Sequence, residues 1–421
     1  MADSGQAKSP GSFLRSLGPG LITGAADDDP SGIATYSQAG AQFGYSLAWT
    51  MFLTLPFMAA IQIISACIGW QTEQGLAGNI ARRLPRAALY VLVALLVIAN
   101  TINIAADLAA MAQSLQLVID GPALAYAGAF GAICLVTEIF IPYHRYAGYL
   151  KFLTMVLFVY VAVAFTVHIP WGLVAISTLL PNIHLRGDYL LTIVAVFGTT
   201  ISPYLFFWQA SQEAEESRLS HRHQFKALEY TDEQAFRHIT MDTWTGMAVS
   251  NLIAFFIIVT TAATLHASGV TNIQTAAQAA EALRPVAGEL TFALFAAGII
   301  GTGLLAVPVL AGSAAYAVSE AFGIGGSLEL PANRALGFYG IVGASTLGGV
   351  VLVGAQLDPI KMLFWTAVIN GIVAVPIMAA MMFVVSDRAQ AIALPRWLKI
   401  IGWLATGLMA VAVLLLLWSS V

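Results

Sequence analysis

Apolar runs of about 20 residues, long enough to cross the hydrocarbon core of a bilayer as helices, recur along this chain from end to end. That pattern removes most folds. Hydrocarbon offers no water to backbone N–H and C=O groups, so a spanning segment must hydrogen-bond within itself, and an all-α membrane protein is expected. The composition agrees: 59% of the 421 residues are hydrophobic and 10% are charged, against roughly 25% charged in soluble domains. No stretch is long and polar enough to form a separate soluble domain. The chain divides into a polar tail, residues 1–16, and one transmembrane domain, residues 17–421. The tail carries Lys8 and Arg15 but lacks the apolar core and cleavage site of a signal peptide, so it is expected to be retained. Cys67 and Cys134 lie in apolar runs and read as inert packing residues, with no disulfide framework.

Eleven segments are expected, centred near Asp29, Phe57, Asn100, Ile133, Tyr160, Pro203, Phe256, Gly303, Gly348, Asn370 and Ala410. With the N-terminus in the cytoplasm, this count places all but three of the 18 Lys and Arg residues on the inside. The exceptions are Arg186, Arg284 and Lys361. Such a bias sets orientation in multi-pass proteins, so a cytoplasmic N-terminus and an extracytoplasmic C-terminus are expected. The polar stretch from Leu219 to Asp242 then becomes a cytoplasmic linker, with Phe225, Leu228, Phe236 and Ile239 spaced for a short amphipathic helix.

Two segments are interrupted. The first contains Asp27-Asp28-Asp29-Pro30-Ser31-Gly32, and the sixth contains Gly198-Thr199-Thr200-Ile201-Ser202-Pro203. Carboxylates in hydrocarbon are costly and mark function by default. Proline and glycine beside them open the helix and free backbone carbonyls. Each break opens a unit of five helices, and an odd number makes the second unit enter from the opposite side. This is the arrangement of inverted-repeat transporters, whose substrate site lies between paired discontinuous helices.

The residues around these breaks resemble the Nramp family of divalent-metal transporters. The resemblance covers nearly the whole chain. It runs through Gly18-Pro19-Gly20-Leu21, Asp29-Pro30-Ser31-Gly32 and Ala39-Gly40-Ala41-Gln42-Phe43-Gly44-Tyr45. Gln62, Gly69 and Gly75-Leu76-Ala77 fit the second helix, Asp107-Leu108-Ala109 the third, and Gly198 to Pro203 the sixth. The resemblance implies a leucine-transporter-like fold, with helices 1–5 and 6–10 as inverted repeats and helices 1 and 6 broken. It also implies transport of a divalent metal by alternating access, with the metal as substrate and no cofactor. The expected surroundings are the lipid bilayer of a bacterial inner membrane, with no nucleic acid. No HExxH, GxSxG or phosphate loop supports an enzyme.

Departures from the family pattern give the expectation its direction. The family motif is Asp-Pro-Gly-Asn, and here Ser31 replaces the Gly and Gly32 the Asn ligand. In the sixth helix Thr199 takes the position whose carbonyl is a ligand, and Ser202 that of a ligating Met. Tyr204 and Gln209 take the positions of two histidines. Thioether sulfur suits soft transition metals, whereas hydroxyl and carboxylate oxygens suit Mg²⁺, Ca²⁺ and Mn²⁺. The expected metal ligands are Asp29, Thr199, Ser202 and Asp28. Asp27, Tyr204, Gln209, Asp107 and Asn370 are pathway or supporting residues. Tyr and Gln do not titrate near working pH, so proton coupling is expected to be weak or absent. The alternatives are an ordinary proton-coupled Mn²⁺/Fe²⁺ symporter, with Met241 or Met247 as a soft ligand, and an organic-solute symporter of the same fold.

Several other polar residues receive ordinary readings. Asp107 has a bland role in hydrogen bonding Asn100 or Asn103. Glu138 reads as an interfacial anchor. Glu213, Glu215 and Glu216 read as a solvated face, with an exit-side cation funnel as the alternative. Gly340, Ala344 and Gly348 recur every four residues, as close helix packing requires.

Overall fold

Every regular element in the computed structural model is helical among the described residues, which are 19–141, 155–181, 183–222, 232–355, 357–387 and 392–419. The tail 1–16, Gln356 and the centre of the polar linker, including Phe225 and Leu228, lie outside them. In chain order the helices are α1 (Pro19–Asp27), α2 (Pro30–Phe43), α3 (Trp49–Thr72), α4 (Leu76–Arg83), α5 (Arg86–Gln116), α6 (Ala123–Phe140), α7 (Phe158–Thr166) and α8 (Trp171–Leu179). They continue with α9 (Gly187–Thr200), α10 (Pro203–Arg222), α11 (Asp232–Thr264), α12 (Thr291–Phe322), α13 (Leu336–Val353), α14 (Pro359–Ser386) and α15 (Arg396–Ser419).

Nine helical segments among the described residues are long and apolar enough to cross a membrane, and ten if the bent pair Met155–Thr166 and Trp171–Leu179 forms one span. The sequence reading had eleven. With the bent pair counted as one span, the first segment accounts for the remaining difference, because α1 and α2 have 9 and 14 residues and neither crosses alone.

Both breaks arise from local chemistry. Pro30 has no N–H to donate and its ring keeps the preceding residue out of the α region. Asp29 accordingly is extended, with φ −68° and ψ 170°, and its side chain caps α2 by accepting from the Gly32 N–H. At the second break Ile201 leaves the helix at φ −120° and ψ 59°, and Pro203 starts α10. The Ser202 hydroxyl donates toward the carbonyls freed there, those of Gly198 at 2.8 Å and Thr199 at 2.9 Å. Thus each break satisfies part of its own backbone with a short polar side chain.

Lipid is as apolar as leucine, so helices in a membrane are held by close contact more than by hydrophobic burial. Two glycine pairs make that contact around the breaks. A methyl on Gly24 of α1 would overlap the backbone of Gly246 on α11, and one on Gly198 of α9 would overlap the backbone around Gly371 on α14. The broken segments also pack on each other, α1 against α10 and α2 against α9. The stretch in α13 behaves differently from its reading. Gly340 and Ala344 are exposed, and the buried seam runs through Val342, Ser345, Thr346 and Gly349, one position out of register. Phe338 and Tyr339 anchor its start, and that register leaves the small residues at 340 and 344 exposed.

Candidate functional site

The breaks bring acids, hydroxyls and opened backbone to one buried place. Asp27, Asp28 and Asp29 are each at most 2% exposed, and Thr199, Ser202, Tyr204, Gln209, Asp107 and Asn370 are buried as well. A methyl on Gly32 would stand 3.1 Å from the Thr199 hydroxyl and 3.3 Å from the Tyr36 ring, so the two breaks face each other at Gly32 and Thr199. Across the same gap the Tyr204 hydroxyl donates to the Ala26 carbonyl at 2.9 Å, which satisfies one of the last carbonyls of α1.

The three carboxylates do not share one point. Asp29 Oδ1 accepts from the Gly32 N–H at 2.7 Å and from the Ser31 hydroxyl at 2.8 Å, and Oδ2 accepts from Asn103 Nδ2 at 3.0 Å. Asp27 Oδ2 and Asp28 Oδ1 instead meet the Ser250 hydroxyl on α11, at 2.8 and 3.0 Å. One acid therefore faces α5 and two face α11. Among the described residues no three His, Cys, Asp or Glu side chains are placed to hold a metal ion together. The sequence reading put Asp28 beside Asp29 as a ligand; their different partners separate them.

The remaining predicted residues are placed as follows. Ser202 has its proton committed to backbone carbonyls, which leaves its oxygen lone pairs as acceptors. The Thr199 carbonyl is one of those acceptors and is freed from the helical ladder by the break. Asp107 Oδ2 accepts from Asn103 Nδ2 at 3.4 Å, so Asn103 links Asp107 to Asp29. Gln209 Nε2 donates to the Thr243 hydroxyl at 2.9 Å and its Oε1 accepts nothing. Asn370 is buried on α14 with neither amide atom hydrogen-bonded, next to the Gly371 that touches α9.

Other readings are corrected. Asn100 does not serve Asp107: its Nδ2 donates to the Leu310 carbonyl and the Ser313 hydroxyl and ties α5 to α12. Glu138 is no solvated anchor, being 3% exposed with both carboxylate oxygens unbonded. Glu213 and Glu215 are buried too, and Glu215 accepts from the Tyr316 hydroxyl at 2.7 Å. Helix packing covers them although they lie near a segment end. Met241 is 53% exposed, whereas Met247 is buried.

Sequence reasoning missed Ser250 and Asp242. Asp242 Oδ2 accepts from the Gly20 N–H at 2.7 Å and fixes the start of α1 to α11. The neighbouring Asn251, also polar in an apolar run, is structural, donating to the Met51 carbonyl at 2.8 Å. The signal for Ser250 was there only as a small hydroxyl in an apolar helix.

The arrangement offers one carboxylate, a hydroxyl and freed carbonyls between two broken helices, a set suited to a hard cation. The family model described as natural resistance-associated macrophage protein-like matches residues 20–419. The divalent metal cation transporter MntH of Klebsiella pneumoniae strain 342 is 24% identical over 408 residues, 93% of this chain and 90% of that protein. MntH of Pectobacterium carotovorum is 27% identical over 301 residues, 69% of this chain and 68% of that protein. Among solved structures, the Eremococcus coleocola manganese transporter superposes with a TM-score of 0.73 at 17% identity, covering 98% of this chain and 88% of that one. Mhp1, a nucleobase-cation-symport-1 transporter, superposes with a TM-score of 0.57 at 13% identity, covering 96% and 92%. These two likenesses establish the leucine-transporter-like fold. With the family model matched across almost its full length, the chain belongs to the natural resistance-associated macrophage protein-like family, and is a multi-pass membrane protein built around two broken helices.

Proposed function

We propose that this protein moves hard divalent cations, Mg²⁺ and Mn²⁺, across the membrane by alternating access, with weak or no proton coupling. The observation that carries this reading is the donor set at the facing breaks. Asp29 supplies the charge, and Ser202 and the Thr199 carbonyl supply neutral oxygens. Neither the thioether nor the imidazole positions of the family are filled by sulfur or nitrogen ligands here. Oxygen-only sites suit cations that keep part of their water, Mg²⁺ above all. Relatives named divalent metal cation transporters support the divalent class, and they are transporters, in keeping with a chain that catalyses no reaction.

Gln209 and Tyr204, in place of titrating side chains, support weak coupling. The Lys and Arg bias supports a cytoplasmic N-terminus in a plasma membrane. A second reading, the ordinary proton-coupled symporter, draws on a specific observation: Asn103 joins Asp29 to Asp107, an acid that could accept a proton. Metal uptake into proteoliposomes separates the two. Mg²⁺ and Mn²⁺ are assayed in parallel with a pH dye in the lumen and Asp29→Ala as control. Uptake of both ions without acidification, lost in the variant, is the expected result. Mn²⁺ uptake with acidification and no Mg²⁺ transport overturns the proposal in favour of the symporter.

A further inference from the structure

Three buried carboxylates at one break make a charge problem that a single divalent ion does not solve. Asp29 is engaged by α5 and by its own cap. Asp27 and Asp28 turn the other way, onto one serine of α11. Ser250 is 1% exposed and, like the two acids, lies away from solvent. None of the ion pairs among the described residues reaches these acids. A buried charge without a partner costs far more than a buried hydrogen bond returns.

We propose that Asp27, Asp28 and Ser250 form a second cation site, separate from Asp29, which takes a monovalent alkali cation of the sodium class. Proton counting is the first argument. A serine hydroxyl has one proton and can donate to one carboxylate only, yet Ser250 Oγ lies within hydrogen-bond reach of two. Something besides Ser250 must reconcile the second oxygen.

A second, independent observation points the same way. Asp27 Oδ1 is fully buried and accepts no hydrogen bond, so an oxygen with full acceptor capacity is left over at the site. The end of α1, with its negative dipole pole and outward carbonyls, adds to the same preference for a cation. The ligands are all oxygen, which selects a hard ion.

Charge selects a monovalent one. A divalent cation on Asp29 leaves the three ionised carboxylates of the break with one uncompensated negative charge, which one alkali ion neutralises. Mg²⁺ dehydrates reluctantly and would need waters that this closely packed seam, with Gly24 against Gly246, does not readily admit. The oxygen site at Ser250 stands on its own geometry; the choice of a monovalent ion and its role in driving transport rest on the divalent reading above.

The test uses the full-length protein in detergent, free of divalent ions and at fixed pH. Binding of radiolabelled sodium is measured directly. Saturable binding is expected, weakened by about tenfold or more in Ser250→Ala and Asp28→Asn, and retained in Ser250→Thr, which keeps the hydroxyl. Asp29→Asn is expected to keep sodium binding while losing Mn²⁺ uptake in proteoliposomes. Wild-type uptake should rise when sodium replaces choline. Sodium binding with no divalent uptake in any condition sinks the divalent reading and leaves this site standing. The inference fails if the wild type binds no sodium, meaning that protons serve the pair instead. It also fails if binding survives both Ser250→Ala and Asp28→Asn, or falls equally in Asp29→Asn.

Discussion

The hydroxyl of Tyr204 on α10 donates to the carbonyl of Ala26 on α1, 2.9 Å away, so one broken helix caps the other. Tyr204→Phe keeps the ring and removes the donor. A buried carbonyl left unsatisfied costs about 1–3 kcal/mol. Detergent-purified Tyr204→Phe should therefore melt at a lower temperature than wild type and show slower uptake. Tyr204→His is the sharper experiment. A neutral imidazole can still donate to Ala26, whereas an imidazolium repels an incoming cation. Uptake by this variant should fall as pH drops from about 8 to about 5.5, with a flatter wild-type profile over the same range. An equally steep wild-type profile would count against weak coupling.

Asp29→Asn divides the two duties of Asp29. Asparagine is as good a helix cap as aspartate, so the Gly32 N–H keeps an acceptor, and with the Asn103 amide turned to offer its Oδ1 to the new NH2 stability should change by only about 1 kcal/mol. The charge proposed to hold the metal is gone. Divalent uptake is expected to fall to background while thermal stability holds. A variant that unfolds instead would show Asp29 to be structural first.

As a proposed oxygen ligand, Ser202 sets the hardness of the site in this reading. Ser202→Met substitutes a polarizable sulfur for a hard oxygen, and thioethers favour soft ions. Cd²⁺ should inhibit Mn²⁺ uptake by this variant far more strongly than by wild type, and Mg²⁺ uptake should decline. Met247→Leu is the companion measurement. If the buried Met247 already supplies a soft ligand, that substitution alone will lower Mn²⁺ uptake; no change in the Mn²⁺ to Mg²⁺ ratio is expected.

Much of this was legible in the sequence because the strongest signals are local. Pro30 and Pro203 interrupt apolar runs by their own chemistry, and Asp29 sits where a cap must sit. The pairing of Asn103 with Asp29 spans 74 residues, and no short-range pattern predicts it. Ser250 was hidden for a related reason. A serine in an apolar helix is unremarkable until its neighbours across 223 residues prove to be carboxylates. Glu138, Glu213 and Glu215 were misread because a carboxylate near a segment end resembles an interfacial residue, and only packing tells whether another helix covers it. Residues 340, 344 and 348 have the right spacing for a packing seam, but the face of α13 that turns inward depends on its neighbours.

The contact between Gly24 and Gly246 yields the last prediction. α1 and α11 approach until neither glycine has room for a methyl, and Asp242 pins the start of α1 three residues before Thr245 and four before Gly246. Gly24→Ala or Gly246→Ala forces the helices apart, and overpacking of this kind costs about 1–3 kcal/mol. Both variants should melt at lower temperature. Gly407→Ala in α15 supplies the control, because open space surrounds that glycine and alanine there stabilises by about 0.4–1 kcal/mol through the unfolded chain. The seam also carries Asp27 and Asp28 toward Ser250, so a forced separation should weaken sodium binding in Gly24→Ala more than in Gly407→Ala. Equal melting temperatures for Gly24→Ala and Gly407→Ala would mean that α1 and α11 are not in contact in the membrane.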